Sequence, residues 1–345
     1  GLGRYSMKKT LLAVLLLSTS LAAFAQNFKT LDRVDPDYRE AVKSWAVDLG
    51  DADVRRRFQE NNARRATEGA QPAEHWVAPA QGQQPAVSLY VYKPKTAAAK
   101  LPVIYFIHGG GYVMGNARMA GDSLQALADQ QQAAVVSLEY RLATEAPFPA
   151  DLRDAYHGLS YVYHNAAQHG IDSERVVLMG ESAGGGLAAR LALYTRDKGE
   201  FTPEGQVLIY PMLDYRTGTT ASPYRNTVAG EFVWTPNANR YGWSTLRGGQ
   251  TIASAQMPYF SPAMAKDLRD LPPTFMMVGD LDLFVNEDID YANRLIQSGV
   301  PTELHVIPGV FHAFELVNPQ AEKTRNYLDW RSKAIDAMFR KPIAP

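Results

Sequence analysis

The chain contains no cysteine. That excludes disulfides, thiolate metal sites, a cysteine nucleophile and a lipid-modified N-terminal cysteine. Neither charge is in excess: 35 Lys and Arg face 36 Asp and Glu, a net charge of -1. Such a balance provides no long-range attraction to nucleic acid or to an anionic membrane. Charged residues are 21% and hydrophobic residues 46% of the 345, which excludes an intrinsically disordered chain. Internal repeats and low-complexity tracts are also missing. What is abundant is aromatic: 18 Tyr, 13 Phe and 5 Trp can build a large core and still line a pocket. The length suits one large domain or two ordinary ones.

The longest hydrophobic run lies near the N-terminus. Met7 is followed by Lys8 and Lys9, an apolar run from Leu11 to Leu17, and Ala23-Phe24-Ala25 before Gln26. This is the layout of a secretory signal peptide with cleavage after Ala25. A membrane helix fits less well, because the run is short for a bilayer of about 30 Å and Ser18, Thr19 and Ser20 end it. Residues 1–25 are therefore expected to be an address, with 1–6 a vector-derived or upstream extension. The mature chain is expected in a periplasm or secreted, with no stable membrane anchor after cleavage.

Residues 28–70 carry apolar positions at helical spacing, among them Leu31, Val34, Tyr38, Val42, Trp45 and Phe58. Residues 70–85 are rich in Pro, Gln and Gly and read as a linker. After that the pattern changes. Short β-branched or aromatic runs at 87–92, 103–108, 134–140, 176–180, 206–211, 274–279 and 303–308 alternate with helical stretches such as 150–168, 183–198 and 285–298. Alternation of this kind predicts an α/β fold with a mostly parallel sheet flanked by helices. Reactive residues in such sheets stand at the carboxyl ends of strands. The block 26–84 and an insertion at 215–260 fall outside the alternation and are expected to form a helical cap over a catalytic domain at 85–345.

The strongest motif is Gly180-Glu181-Ser182-Ala183-Gly184, a G-x-S-x-G between the strand VVLM and a helix. A serine nucleophile must stand on a sharp turn with its hydroxyl exposed, and the flanking glycines remove the Cβ clashes of that turn. The helix start behind it offers free N–H groups. The second motif is His108-Gly109-Gly110-Gly111-Tyr112 after the strand VIYFI. Three consecutive glycines are entropically costly and make sense where backbone N–H groups must approach a ligand, as an oxyanion hole requires. A dinucleotide fingerprint fails, because Met114 stands where the third glycine is needed, and no phosphate loop follows. A metal reading has little to stand on, since no H-E-x-x-H occurs.

A serine hydroxyl needs a base, and the base an orienting carboxylate. Asp280-Leu281-Asp282-Leu283 follows one late strand, and Gly309-Val310-Phe311-His312 follows the last. The order Ser182, Asp282, His312 is that of α/β-hydrolases. Asp282 leads Asp280, Glu287 and Asp288 for the carboxylate, the last two being ordinary acids of a helix start. His75, His157, His164, His169 and His305 lack the position of His312 just beyond a strand end.

Together these motifs resemble the bacterial hormone-sensitive-lipase-like esterases of the α/β-hydrolase superfamily. Tyr140-Arg141-Leu142-Ala143 with Pro147-Phe148-Pro149-Ala150 resembles a further family segment, with Thr144 where proline is usual. Glu181 replaces the commoner Asp of the elbow, and the acidic motif reads DLDLF instead of a DPL form. The resemblance spans about residues 85–340. It implies Ser182 as nucleophile, His312 as base and Asp282 as its partner, with Gly110, Gly111 and Ala183 as oxyanion donors. His108, Tyr112 and Glu181 are expected beside the substrate. The implied activity is hydrolysis of small-molecule esters with short to medium acyl or aryl groups, without cofactor, metal or nucleic acid. Deacetylase, lactonase or amidase chemistry on the same triad stays open, as does a homodimer. A ligand-binding protein on an inactive hydrolase fold would ordinarily have lost the histidine, which is present here.

Overall fold

The structure, a computed structural model, describes residues 27–96 and 99–340. The expected signal peptide lies outside the described residues. Eight strands form one sheet: β1 (Glu74–Ala78), β2 (Val87–Tyr92), β3 (Leu101–Ile107), β4 (Ala134–Leu138), β5 (Ile171–Glu181), β6 (Gly205–Ile209), β7 (Thr274–Gly279) and β8 (Thr302–Ile307). Their order across the sheet is β1-β2-β4-β3-β5-β6-β7-β8. Strand β2 runs against both its neighbours, and β3 to β8 are parallel. Strands β3, β4 and β7 are buried at every position, as befits strands covered on both faces.

The helices that shape the site and its support are α1 (Pro36–Val42), α2 (Ala52–Glu68), α3 (Gly121–Gln131), α4 (Ala150–His164), α5 (Ala183–Lys198), α6 (Pro236–Arg247), α7 (Val285–Gln297), α8 (Phe314–Val317) and α9 (Glu322–Phe339). Alternation along β3 divides the core. Val103, Tyr105 and Ile107 point to the face covered by α4 and α5, where Leu152 and Leu187 are buried. Ile104 and Phe106 point to the other, where Leu124 of α3 and Tyr327 and Ile335 of α9 are buried. Fully buried Arg190 pins α5 to α4: its two terminal nitrogens donate to the Asp151 carboxylate at 2.7 and 2.9 Å. Removing one partner of such a pair costs about 3–5 kcal/mol, because it strands the other charge.

The sequence pattern predicts seven of the eight strands. Strand β1 lies inside the stretch that reads as a linker. An edge strand needs only one ladder and one covered face, so its polar alternation is weak evidence on its own. Here Trp76 pairs with Leu89, and Trp76 and Ala78 turn inward while His75 and Val77 face solvent.

Helix α2 begins at Asp51, whose side chain accepts from the Asp53 and Val54 N–H groups. Helix α6, within the 215–260 insertion, starts at a Thr235 cap with Pro236 at its first position. The two blocks meet. Asn237 Nδ2 donates to Asp48 at 2.9 Å, and the Arg55 guanidinium lies 3.5 Å over the Tyr241 ring. Thr30 N–H donates to Glu231 at 2.8 Å. Helix α2 also reaches the loop after β3, where Gly115 N–H donates to Gln59 at 2.8 Å.

Candidate active site

Strand β5 ends at Glu181, helix α5 starts at Ala183, and Ser182 alone makes the turn, with φ 57° and ψ -118°. A non-glycine residue in that region is strained, and strain of this kind persists where the surroundings enforce it. Ser182 N–H donates to Ile209 O at 2.9 Å, and Ser182 O accepts from Gly186 and Met212 N–H. Gly184 lets the helix start press against β3: a Cβ there would lie 1.9 Å from the Ile107 carbonyl oxygen.

His312 stands in the loop between β8 and α8. Its Nε2 lies 2.8 Å from Ser182 Oγ. Its Nδ1 lies 2.8 Å from Asp282 Oδ2. Asp282 stands just beyond β7 and is held by the Phe284 N–H, which donates to its other oxygen at 2.9 Å. All three side chains are buried, so the hydrogen bonds that join them lie in a medium of low dielectric. Asp280, two residues earlier, goes elsewhere: it accepts from Gly309 N–H at 2.8 Å and braces the histidine loop.

After β3, Gly110 and Gly111 adopt positive φ, and neither N–H donates to an acceptor among the described residues. Ala183 is the first residue of α5, where the N–H has no intrahelical partner. The tetrahedral oxyanion of an acyl transfer needs free donors of this type. The Cβ that Gly109 lacks would lie 3.4 Å from Ser182 Cβ, so this loop runs against the elbow.

The structure surrounds the three residues expected beside the substrate as follows. His108 is buried, its ring stacked on Tyr140 with centroids 4.4 Å apart and Nδ1–H on Gly109 O at 2.7 Å. Burial pushes its pKa down to about 4, so the ring is neutral. Tyr112 is buried too, and its hydroxyl donates to Met212 O at 3.2 Å. Both support the glycine loop from below. Glu181 lies near Arg331 and His312, and burial raises its pKa against the pull of those two groups.

Motif reading missed a second polar group beside His312. The Tyr210 ring stands 4.5 Å from the imidazole, centroid to centroid, and its hydroxyl donates to Glu315. The available signals were small: Tyr210 ends a strand before Pro211, and Glu315 follows His312 by three residues on α8. Trp234 supplies a wall from the insertion. Its indole centroid lies 6.4 Å from that of His312, and its N–H donates to Asn239 at 3.2 Å.

Among the described residues no group of three or more His, Asp or Glu could hold a metal ion, and no helix is long and apolar enough to cross a membrane.

Comparison with known proteins agrees with this geometry. A family model described as alpha/beta hydrolase fold matches residues 104–316. The chain is 30% identical over 292 residues to an ethyl acetate hydrolase of Pseudomonas putida, covering 80% of this chain and 87% of that one. It is 32% identical over 263 residues to the carboxylesterase NlhH of Mycobacterium tuberculosis, covering 73% and 79%. The solved structure of a bacterial heroin esterase superposes with a TM-score of 0.81 at 31% identity, covering 91% of this chain and all of that one. With more than half its length matched by the family model and its elbow, glycine loop and late histidine in place, the chain belongs to the α/β-hydrolase fold family, in the hormone-sensitive-lipase-like esterase branch.

Proposed function

We propose that the chain is a serine carboxylesterase that cleaves small esters of short to medium acyl chains or aryl alcohols through an acyl-enzyme on Ser182. The observation that carries this reading is the relay Ser182 Oγ–His312 Nε2–Asp282, with 2.8 Å at each step. Ser182 Oγ attacks the ester carbonyl carbon as its proton passes to His312 Nε2. Asp282 holds the other ring nitrogen and stabilises the imidazolium. The oxyanion accepts from Gly110, Gly111 and Ala183 N–H. Collapse expels the alkoxide, which takes the proton from His312. Water then attacks the acyl-enzyme by the same route and releases the acid. No step calls on a cofactor.

The test is a panel of p-nitrophenyl esters graded by chain length, run on the protein and on Ser182→Ala. Loss of the nucleophile in such a triad costs on the order of 10⁴–10⁶ in kcat. A folded Ser182→Ala protein that keeps more than a few per cent of the activity overturns the assignment. Separately, we propose that the protein is periplasmic or secreted, on the Lys8-Lys9, apolar and Ala23-Phe24-Ala25 pattern alone. Cell fractionation with N-terminal sequencing tests it: a mature terminus at Gln26 agrees, and an unprocessed cytoplasmic protein does not.

A further inference from the structure

His312 is held by more than the relay. Asp282 fixes its Nδ1, as an α/β-hydrolase requires. A further support has no part in the relay. Tyr210, at φ 34° just after β6, sets its ring at 64° to the imidazole plane and 4.5 Å from it. Its hydroxyl donates to both oxygens of Glu315, at 2.9 and 3.0 Å, inside the protein. Tyr210 thus ties the flank of the base to a carboxylate carried by α8, the helix that directly follows the histidine loop.

The chamber around Glu315 is crowded with ionisable groups from every element that packs there. Glu181 comes from the end of β5, Tyr210 from the turn after β6, and Tyr327 and Arg331 from α9. Tyr38 of α1 faces it from the N-terminal block, and His312 faces Glu181. Arg331 acts on both carboxyls, and its Nη1 donates to Tyr327 at 3.1 Å. Its Nε is buried without a partner. Two carboxyls share one guanidinium there, so when Glu315 gives up its proton the added negative charge appears on the side of the site where the imidazolium forms.

We propose that Glu315 is a positioning residue for ester cleavage: through Tyr210 it fixes the His312 ring, and with Glu181 it supplies a second negative field to the imidazolium. This rests on the esterase reading above. Asp282 orients Nδ1, and the rings of Tyr210 and Phe284 pack against the imidazole, with centroids 4.5 and 5.2 Å from it. Tyr210 resists tilting of the imidazole, and Glu315 locks Tyr210. Burial and the neighbouring Glu181 push Glu315 up to about 8, so its charge appears just above neutral pH. The field on His312 therefore strengthens as pH rises through that range.

The experiment is kcat and KM against pH from 5.5 to 10 for the protein, Glu315→Gln and Tyr210→Phe, with circular dichroism to verify folding. The wild-type kcat should show a step of about fivefold centred near pH 8, the size expected of one added charge several ångströms from the ring. Glu315→Gln should lack that step. Tyr210→Phe should lower kcat several-fold with KM unchanged, because the ring stays but its tether is lost. A purely structural role would alter stability and leave the shape of the pH profile alone. A step that persists in Glu315→Gln, or a folded Tyr210→Phe protein with wild-type kcat, overturns the proposal. If Glu315→Gln does not fold, Tyr210→Phe decides by the split between kcat and KM. Ser182→Ala keeps the two readings apart: activity surviving there removes the esterase mechanism, whereas unchanged Glu315 and Tyr210 variants remove only the positioning role.

Discussion

The indole of Trp234 lies across Gly111: a Cβ on that glycine would sit 2.3 Å from the ring's Cη2. The oxyanion loop after β3 and the insertion that carries α6 are therefore in direct contact at the site. The contact leaves no room for a side chain at 111, and the φ of 63° there disfavours one as well. Gly111→Ala should keep its fold by circular dichroism and lose about 10²–10³ in kcat, the size of a lost oxyanion donor. Near-wild-type kcat would mean that the loop does not hold the oxyanion.

Trp234 also bounds the space beside His312, so it should limit acyl length. The wild type should prefer short to medium chains and fall off beyond them. Trp234→Leu should move the optimum outward by about two methylenes, each worth roughly 0.8 kcal/mol while it finds room. The check is kcat/KM from p-nitrophenyl acetate to dodecanoate. An unmoved optimum, or rates that climb steadily to emulsified long-chain lipid, contradicts a closed pocket walled by Trp234.

The two candidate carboxylates are separated by their partners. Asp282 meets His312 Nδ1, whereas Asp280 meets Gly309 N–H. Asp282→Asn should cost about 10⁴ in kcat by favouring the wrong tautomer. Asp280→Asn keeps a side-chain oxygen that can accept from Gly309 N–H and should have only a few-fold effect on rate with little loss of stability. Steady-state kinetics with urea unfolding distinguishes the two, and the reverse ranking transfers the role to Asp280.

Stability should fall as pH rises above about 5. Burial raises Glu315 to about 8 and lifts Glu287 and Asp288 well above the usual carboxylate range. A carboxyl whose folded pKa is raised binds its proton more tightly in the folded state. The stability it contributes is complete below its unfolded pKa and is lost as pH climbs through the folded value. For Glu315 the window runs from the unfolded value of 4.5 to about 8. Glu315→Gln should flatten that part of the curve, by up to about 1.4 kcal/mol per pH unit. Urea midpoints at several pH values between 5 and 9 give the answer. Parallel curves for the two proteins would mean that Glu315 does not carry a raised pKa.

The α/β class and its strand–helix rhythm could be read directly, because strands buried on both faces produce unbroken runs such as VIYFI and TFMMV, which survive any detail of packing. The exception was β1. Its one-sided burial yields the polar alternation Glu74-His75-Trp76-Val77-Ala78 between Pro72 and Pro79, which composition alone marks as loop. Among the site residues, Ser182 and the glycine loop could be identified locally, since a sharp turn and a close backbone approach both demand glycine at set spacings.

Other decisions came from residues far apart in sequence. Asp280 and Asp282 stand two positions apart on one loop, and the chain order cannot say which one reaches His312. The turn after β7 sends one to the imidazole and the other to Gly309. His108 and Tyr112 flank the glycines in sequence, yet packing against Tyr140 and Met212 takes both into the interior. The cluster of Glu181, Tyr210, Glu315 and Arg331 had no motif of its own, because its members come from four segments far apart in sequence. The Gly180–Gly184 turn, the glycine loop after β3 and the order of Ser182, Asp282 and His312 along the chain were legible in the sequence, since they depend on local backbone geometry and strand ends. Which carboxylate meets His312, which ring lies over Gly111 and which charges stand near the imidazole depend on contacts between segments that approach one another after the sheet has formed.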